Sequence, residues 1–517
     1  MEKDYLTISR AGDLQTSKER IVYKLFEALP AFLSLGSLGL AFALSWLAPV
    51  AVAVFIIAFD IFWLLRISYL SFHQLSSYRQ MKKNLKIDWL AKLKTINPKP
   101  HTLNVKSWQD VYHLIILPMY KEGIEIVRPT LQSLIDSEYP KEKMIVVLAL
   151  EERGGEAAQK VSREIEREFG KRFFRFLATV HPKDISGEMA GKGSNVFWAI
   201  KKAKELIVEL GINSENIIVS NFDIDTRPYS QYFAVLTWHY LTVKKPLRSS
   251  YQPIPIYNNN IWQASSFSRV IATSGTFWQM MQQERPEQLV TYSSHSLPLK
   301  VLEEVSYPAN MVSDDSRIFW KAYLKYDGDY RVIPLHYPVS MDAVMAKNLG
   351  RTIINQYKQQ RRWAFGCENI PYLLFGFLKN KKIGLGEKLR QTFVILDGFW
   401  SWAVSALLIF FLGWLPLFAG GQEFNYSLLS YNLPKLTSNL MSLAMVGMIV
   451  SSITSFLLLP PRPKQYGCRK NLSVLFQWLL LPFTLIVFGS FPCLEAQIRL
   501  FSGKYLGFWV TEKVLKP

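Results

Sequence analysis

The chain alternates between two textures of apolar and polar positions. Apolar runs of about 20 residues, the length that crosses a bilayer, occupy positions 28–47 and 49–70, hinged at Ala48-Pro49, and then 391–418, 437–460 and 472–493. Between these groups, short apolar runs alternate with amphipathic stretches, which predicts an α/β domain. Positions 111–117 predict a buried strand leading into Pro118-Met119-Tyr120, and 127–136 a helix. Positions 144–150 predict a second strand, ending in Glu151-Glu152. A helix is predicted at 192–206, after Gly191, and a further strand at 216–221, just short of Asp223. Strand–helix–strand units of this kind build a parallel sheet with ligands at the strand carboxyl ends. Four regions follow: tail, hairpin and basic linker at 1–100, the α/β domain at 101–350, interfacial helices at 351–390, and C-terminal spans with a tail at 391–517.

Composition fits a chain that is part soluble and part membrane-embedded, with 49% hydrophobic and 20% charged residues. The 60 basic and 41 acidic residues leave a formal charge of +19. This excess clusters beside the apolar runs, which assigns it to membrane lipids rather than to nucleic acid, for which no binding motif is present. Lys3, Arg10, Lys18, Arg20 and Lys24 precede the hairpin, and Arg66, Arg79, Lys82, Lys83 and Lys86 follow it. Arg462, Lys464, Arg469 and Lys470 fill the connection at 461–470, whereas the loop at 419–436 has only Lys435. Basic loops stay in the cytosol, so the α/β domain is expected there.

Two points of the topology need more than charge. Counting five spans puts the tail beyond 493 outside, while Arg499, Lys504, Lys513 and Lys516 argue for inside; a last segment doubled back at Pro482 and Pro492 would reconcile them. The first apolar run follows about two dozen polar residues and lacks a small-residue cleavage site, so it reads as a permanent helix rather than a signal peptide. Cys367, Cys468 and Cys493 are odd in number and lack metal-ligand spacing, which predicts neither a disulfide framework nor a zinc site.

Three motifs have the residue types that chemistry needs. Asp223-Ile224-Asp225 puts two carboxylates at the end of an apolar strand, where they can hold a hard cation on a diphosphate; the plain alternative is a solvated turn before Pro228. Asp314-Asp315 follows Ser313 and precedes a helical Ile318-Phe319-Trp320, so it reads either as a helix cap or as a general base for a hydroxyl. Gln359-Gln360-Arg361-Arg362-Trp363 reads either as a membrane-surface helix or as an arginine beside phosphate with a tryptophan against a sugar.

Taken in series, these motifs resemble the family 2 glycosyltransferases, specifically the processive membrane branch that includes cellulose, chitin and hyaluronan synthases. That branch carries D-x-D, then (T/S)-(E/D)-D, then Q-x-x-R-W, here Asp223-Ile-Asp225, Ser313-Asp314-Asp315 and Gln359-Gln-Arg-Arg362-Trp363. Pro118-Met119-Tyr120-Lys121-Glu122 is similar to the family's P-x-Y-x-E opening of the nucleotide pocket, and Gly191-Lys192-Gly193-Ser194-Asn195 to its K-x-(G)-x-L-N turn. Gln252-Pro253 with Tyr257-Asn258-Asn259, and Ser274-Gly275-Thr276, resemble its donor and acceptor loops; Trp509-Val510-Thr511-Glu512-Lys513 resembles its W/F-x-T-x-K segment. The resemblance spans about residues 110–517.

The resemblance implies a GT-A-like nucleotide-sugar-binding α/β fold with an α-helical transmembrane region. It further implies an inverting transferase, multi-pass in the plasma membrane with a cytosolic catalytic domain, that takes a nucleotide sugar, expected to be a UDP-sugar. Asp223 and Asp225 would hold Mg²⁺ or Mn²⁺, and Asp315 would be the base. Pro118, Tyr120, Glu122, Glu151, Lys192, Ser274, Gly275, Thr276, Asp314, Gln359, Arg362 and Trp363 would bind substrates. The acceptor would be a growing glycan; a lipid-linked acceptor taking one sugar, and a silent glycan-conducting subunit, are the alternatives. Two positions depart from the family: Glu151 or Glu152 replaces the aspartate that binds the base, and Asp314 replaces a glutamate. With about 20 residues after the last span, no cyclic-dinucleotide domain is expected. Asp60 and Asp397 fall within apolar runs, where ionised groups are expensive, and would either line a polar path or pair between helices.

Overall fold

A computed structural model describes residues 4–96, 103–467, 469–507 and 509. Eight strands form one mixed sheet: β1 (Tyr112–Met119), β2 (Met144–Glu151), β3 (Arg175–His181), β4 (Ile217–Asn221), β5 (Arg227–Pro228), β6 (Ser249–Ile256), β7 (Ser296–Pro298) and β8 (Arg331–Ser340), in the order β3-β2-β1-β4-β7-β6-β8-β5. The first four are parallel, β7 runs antiparallel to both β4 and β6, and β6 lies parallel to β8.

β1 and β2 are continuous apolar runs because helices cover both faces of the sheet. Leu114, Ile116, Ile145 and Val147 pack with Val196, Ala199 and Ala203 of the helix Lys192–Glu209. Ile115, Leu117, Val146 and Leu148, alternating with them, pack with Val127, Leu131 and Leu134 of the helix Ile124–Ile135. The strands expected at 111–117, 144–150 and 216–221 and the helices at 127–136 and 192–206 are all present, within three residues at each end.

Among the described residues five helices are long and apolar enough to cross a membrane: Ser17–Leu47, Pro49–Asn84, Leu385–Leu412, Leu428–Leu457 and Arg469–Phe501. The second has 36 residues, about 54 Å at the helical rise, well beyond a hydrocarbon core of about 30 Å. Its last turns dock on the α/β domain: Met81 packs against Ile254 and Ile256, and Ser76 Oγ donates to Glu284 Oε2 at 2.9 Å. At the opposite end of the hairpin, Pro49 lies against Gly420 in the poorly basic loop.

The last apolar helix runs through Pro482 and Pro492 with local 3₁₀ and π turns; it touches the α/β domain at Gln477 and the helix Leu349–Ala364 at Glu495. Gln477 Oε1 accepts from Arg269 Nε at 2.6 Å, and Glu495 Oε1 accepts from Arg361 Nη1 at 2.6 Å. Beyond it, Tyr505 OH donates to Glu27 Oε1 at 2.7 Å, in the helix that follows the N-terminal segment. Arg499 and Lys504 therefore lie beside the helix Leu349–Ala364 and the early turns of the first long helix. Of the W/F-x-T-x-K segment only Trp509 is described, 5.2 Å from Lys358 Nζ; positions 510–513 lie outside the described residues, as do Lys3, Cys468 and Lys516.

Asp397 takes the pairing role rather than the path. Arg66 Nη2 lies 3.2 Å from Asp397 Oδ2, and Ser401 Oγ donates to Asp397 Oδ1 at 3.1 Å. Breaking one partner of a poorly solvated ion pair leaves a lone charge, while removing both does not. Arg66→Leu is therefore expected to lower the unfolding temperature in detergent more than Arg66→Leu with Asp397→Leu, with a coupling of about 1 kcal/mol or more in the double-mutant cycle.

Candidate active site

The chain turns immediately after β4: the Thr226 N–H donates to the Asp223 carbonyl at 2.8 Å. This turn leaves Asp223 partly open and folds Asp225 inward. Asp225 is buried; its Oδ2 accepts from the Asp342 backbone N–H at 3.0 Å and its carbonyl from Asn259 Nδ2 at 3.0 Å. Asn259 follows β6 and Asp342 follows β8, so Asp225 ties the turn to the far half of the sheet. Thr130 Oγ1 donates to the Ile224 carbonyl at 2.7 Å and ties it to the near half.

Lys192 opens its helix and enters this turn. Its Nζ lies 2.7 Å from Asp223 Oδ1 and 3.0 and 2.9 Å from the two oxygens of Asp315, with only 8% of the residue exposed. Burial alone would push the ammonium pKa down; Asp223, Asp315 and Asp314 together outweigh it and hold the group above its ordinary value. A permanent cation thus sits between two acids that come from distant parts of the chain.

Asp314 and Asp315 begin the helix Asp314–Lys325. Tyr307 OH donates to Asp314 Oδ2 at 3.1 Å, and Asn221 Nδ2 donates to Tyr307 OH at 2.7 Å and to Asp315 Oδ1 at 3.3 Å. His295 stands behind them with Nδ1 2.8 Å from the Tyr292 carbonyl and 3.7 Å from Asp315 Oδ1; burial lowers its pKa and keeps it neutral. The two aspartates differ in access. Asp314 is 2% exposed, and burial, then the charge of Asp315, pushes its pKa up to about 7. The Asp315 side chain is 24% exposed, so it is the more accessible of the two. Ser313 does not cap the helix: its N–H and Oγ both donate to Glu368 Oε1, at 2.9 and 2.6 Å.

Close approach of these elements depends on Gly193. A Cβ there would lie 2.7 Å from the Pro308 carbonyl oxygen and 3.1 Å from Asp314 Cβ, so only glycine lets the Lys192 helix reach the two aspartates. Ser194 Oγ and Asn195 Nδ2 anchor the same turn, on the Gly191 carbonyl at 3.0 Å and the Ala149 carbonyl at 2.7 Å.

The third motif arrives from the helix Leu349–Ala364. Trp363 lies 6.5 Å from Tyr257, ring to ring, and the partly buried Tyr257 has Asp223, Asp225, Asp315 and Arg362 around it; desolvation first, then those acids, raise its phenol pKa, against Arg362. Ser274-Gly275-Thr276 is not a loop, as its resemblance implied, but part of the helix Ser266–Gln283. Gly275 packs toward the Tyr257 ring, and Thr276 Oγ1 donates to the Pro255 carbonyl at 2.9 Å. Gln359 faces its neighbour Gln356, whose Nε2 donates to it at 3.2 Å.

Pro118, Tyr120, Glu122 and Glu151 line the carboxyl ends of β1 and β2, with two of their carboxylates already engaged. Glu122 Oε2 accepts the backbone N–H groups of Tyr120 and Lys121 at 2.7 and 3.1 Å, closing the turn. Buried Glu151 pairs with Arg153, whose guanidinium lies 5.3 Å from the Tyr120 ring. Asn221, Ser293, His295, Tyr307, Asp342 and Glu368 carry no motif in the sequence. The one available signal was the polar run Thr291-Tyr292-Ser293-Ser294-His295 between two apolar elements; Ser293 Oγ donates to Asp223 Oδ2 at 2.7 Å.

Among the described residues no three His, Cys, Asp or Glu side chains converge as a metal cage. The hard oxygen donors of Asp223 and Asp225 fit a Mg²⁺ or Mn²⁺ that takes its remaining ligands from phosphate and water, the usual habit of these small cations.

No protein-family model and no curated protein sequence matches the chain. Among solved structures, the mannosyltransferase PcManGT from Pyrobaculum calidifontis in complex with GDP-Man and Mn²⁺ overlaps 77% of this chain and 98% of its own, at 15% identity and a TM-score of 0.40. S. aureus TarS 1-349 in complex with UDP-GlcNAc overlaps 76% and 92%, at 11% identity and a TM-score of 0.36. GalNAc-T7 with UDP, GalNAc and Mn²⁺ overlaps 56% and 57%, at 10% identity and 0.34. Overlaps of this size assign neither activity nor site residues, which rest on the geometry above.

Gly193→Ala should displace the Lys192 turn from Asp314. Overpacking of this kind costs about 1–3 kcal/mol, read as a lower unfolding temperature, whereas Gly384→Ala, at an open position with ordinary backbone angles, should shift it less. Equal shifts would contradict the close approach.

Proposed function

We propose that this chain is a membrane-embedded inverting glycosyltransferase that extends a glycan from a nucleotide-sugar donor, expected to be a UDP-sugar. The observation that carries the reading is the Asp223–Lys192–Asp315 contact. It unites the end of a parallel strand, where a diphosphate is held, with a partly open carboxylate suited to a base. Sequence motifs alone left each piece with a plain structural alternative; their convergence around Tyr257 and Lys192 favours the chemical one.

In this reading Asp223 and Asp225 hold Mg²⁺ or Mn²⁺, which supplies positive charge to the donor diphosphate. Lys192 and Arg362 add charge on the same leaving group. Asp315 accepts the proton of an acceptor hydroxyl as its oxygen bonds to the anomeric carbon. The bond from that carbon to the diphosphate oxygen breaks, and the nucleoside diphosphate departs with the electron pair. One displacement inverts the anomer, so an α-linked donor gives a β product. Trp363 and Tyr257 offer aromatic faces to the acceptor. The basic flanks and apolar helices support a multi-pass protein of the plasma membrane with this site in the cytosol.

Radiolabelled UDP-glucose, UDP-N-acetylglucosamine and GDP-mannose, each given to purified protein with Mg²⁺ or Mn²⁺, test the reading by label transfer and product size. Transfer should stop in chelator. Asp315→Asn should bind nucleotide sugar normally and transfer at least about a hundredfold more slowly, as loss of a general base does. Transfer within a few-fold of wild type would remove Asp315 from the mechanism. Topology has its own test: a cysteine at Lys83 should resist impermeant thiol reagents in intact cells, and one at Gln422 should react. Labelling at Lys83 would put the domain on the other side.

A further inference from the structure

Five consecutive residues, 313–317, carry the two aspartates, and both ends of this run are clamped from outside the α/β domain. At one end Ser313 is held by Glu368. At the other, Arg317 is fully buried and spends its guanidinium on three acceptors. Nε donates to Asn369 Oδ1 at 2.6 Å, Nη2 to the Glu368 carbonyl at 3.1 Å, and Nη1 to the Ile8 carbonyl at 3.1 Å, 309 positions away in the chain. The group also lies 3.9 Å from the Tyr372 ring centroid.

Ile8 belongs to the segment ahead of the first long helix. There, Ile8, Ala11 and Leu14 are buried with Tyr23 and Phe375, and Tyr372 OH donates to the Leu6 carbonyl at 3.3 Å. A planar fork with fixed donor directions converts a shift of any one acceptor into a shift of the helix that carries it. Burying a guanidinium is expensive unless its donors are met, so the arrangement persists only while the N-terminal segment supplies its carbonyl. A general base misplaced by about 1 Å can lose on the order of a hundredfold in rate.

We propose that residues 5–14 form a strap that sets the position of the Asp315 helix, with Arg317 as the positioning residue through which it acts. The proposal rests on the reading of Asp315 as base. Its consequence is specific: loosening the strap slows transfer without weakening the donor, because Asp223 and Asp225 are held from the sheet side, by Ser293 and the Asp342 backbone N–H, and Lys192 keeps its contact with Asp223.

Two variants of the full-length protein test it. Ile8→Asp expels the strap from its apolar seat without touching the site; Arg317→Lys keeps the charge and loses the fork. Arg10→Ala, at an exposed side chain of the same segment, is the control. Hydrogen exchange in nucleotide-free buffer and steady-state kinetics with whichever nucleotide sugar the wild type turns over are read in parallel. Both variants should speed exchange in the helix Asp314–Lys325 by about tenfold while the amides of β1, β2 and β4 keep their protection. Both should lower kcat about tenfold or more with the donor KM within about twofold. Combining them should add little to either. A merely structural role would instead raise exchange across the sheet and disturb KM and kcat together, which would overturn the proposal, as would wild-type exchange and turnover in Ile8→Asp. If the wild type turns over none of the nucleotide sugars offered, the exchange result still decides the strap, and the transferase reading fails separately.

Discussion

A buried ammonium between two carboxylates is the constraint on which the rest of the site depends. Lys192 is reached by Asp223 from the end of β4 and by Asp315 from a helix almost a hundred residues later, and each charge would be costly to bury without the others. Meeting at one nitrogen fixes the distance between a strand end and a helix start to within hydrogen-bond tolerance. The surrounding choices serve that meeting: glycine at 193 to allow the approach, Asn221 and Tyr307 to hold the helix carboxylates, and Ser293 to hold Asp223.

A second set of contacts joins this site to the apolar helices. Glu368 grips Ser313, and Arg361 and Tyr357 both bond Glu495 in the last apolar helix, at 2.6 and 2.9 Å. The helix that bears Trp363 is therefore fixed to the last apolar helix, and the turn that follows it to Ser313, next to the aspartates.

The parallel half of the sheet was legible because β1, β2 and β4 are unbroken apolar runs with helices between them, the plainest signal a sequence offers. The other half was not. β6 contains Pro253 and Pro255, and β8 contains Pro334 and Pro338, which argue against strands in any local reading. They are tolerated because β6 meets β7 only at Tyr251, leaving the proline stretch free of that neighbour, and because the pairing with β8 shifts register between Gln252 and Ile254. Within the site, the charged motifs stood out in the sequence, and the structure brings Asp223 and Asp315 together at Lys192. Tyr307 and Asn221 did not stand out, since a hydrogen bond made across the fold leaves no mark on local spacing. Ser274-Gly275-Thr276 resembles a loop motif by residue type alone, yet it lies within the helix Ser266–Gln283.

Unfolding of the Lys192 variants in detergent, without nucleotide, tests the central claim most directly. Lys192→Met leaves Asp223 and Asp315 as uncompensated partners and should cost about 3–5 kcal/mol, the usual penalty for breaking a buried pair. Adding Asp223→Asn and Asp315→Asn to it should restore most of that loss, because the repulsion goes with the charges. A Lys192→Met protein as stable as wild type, or a triple variant less stable than the single one, would contradict a structure organised around this cation.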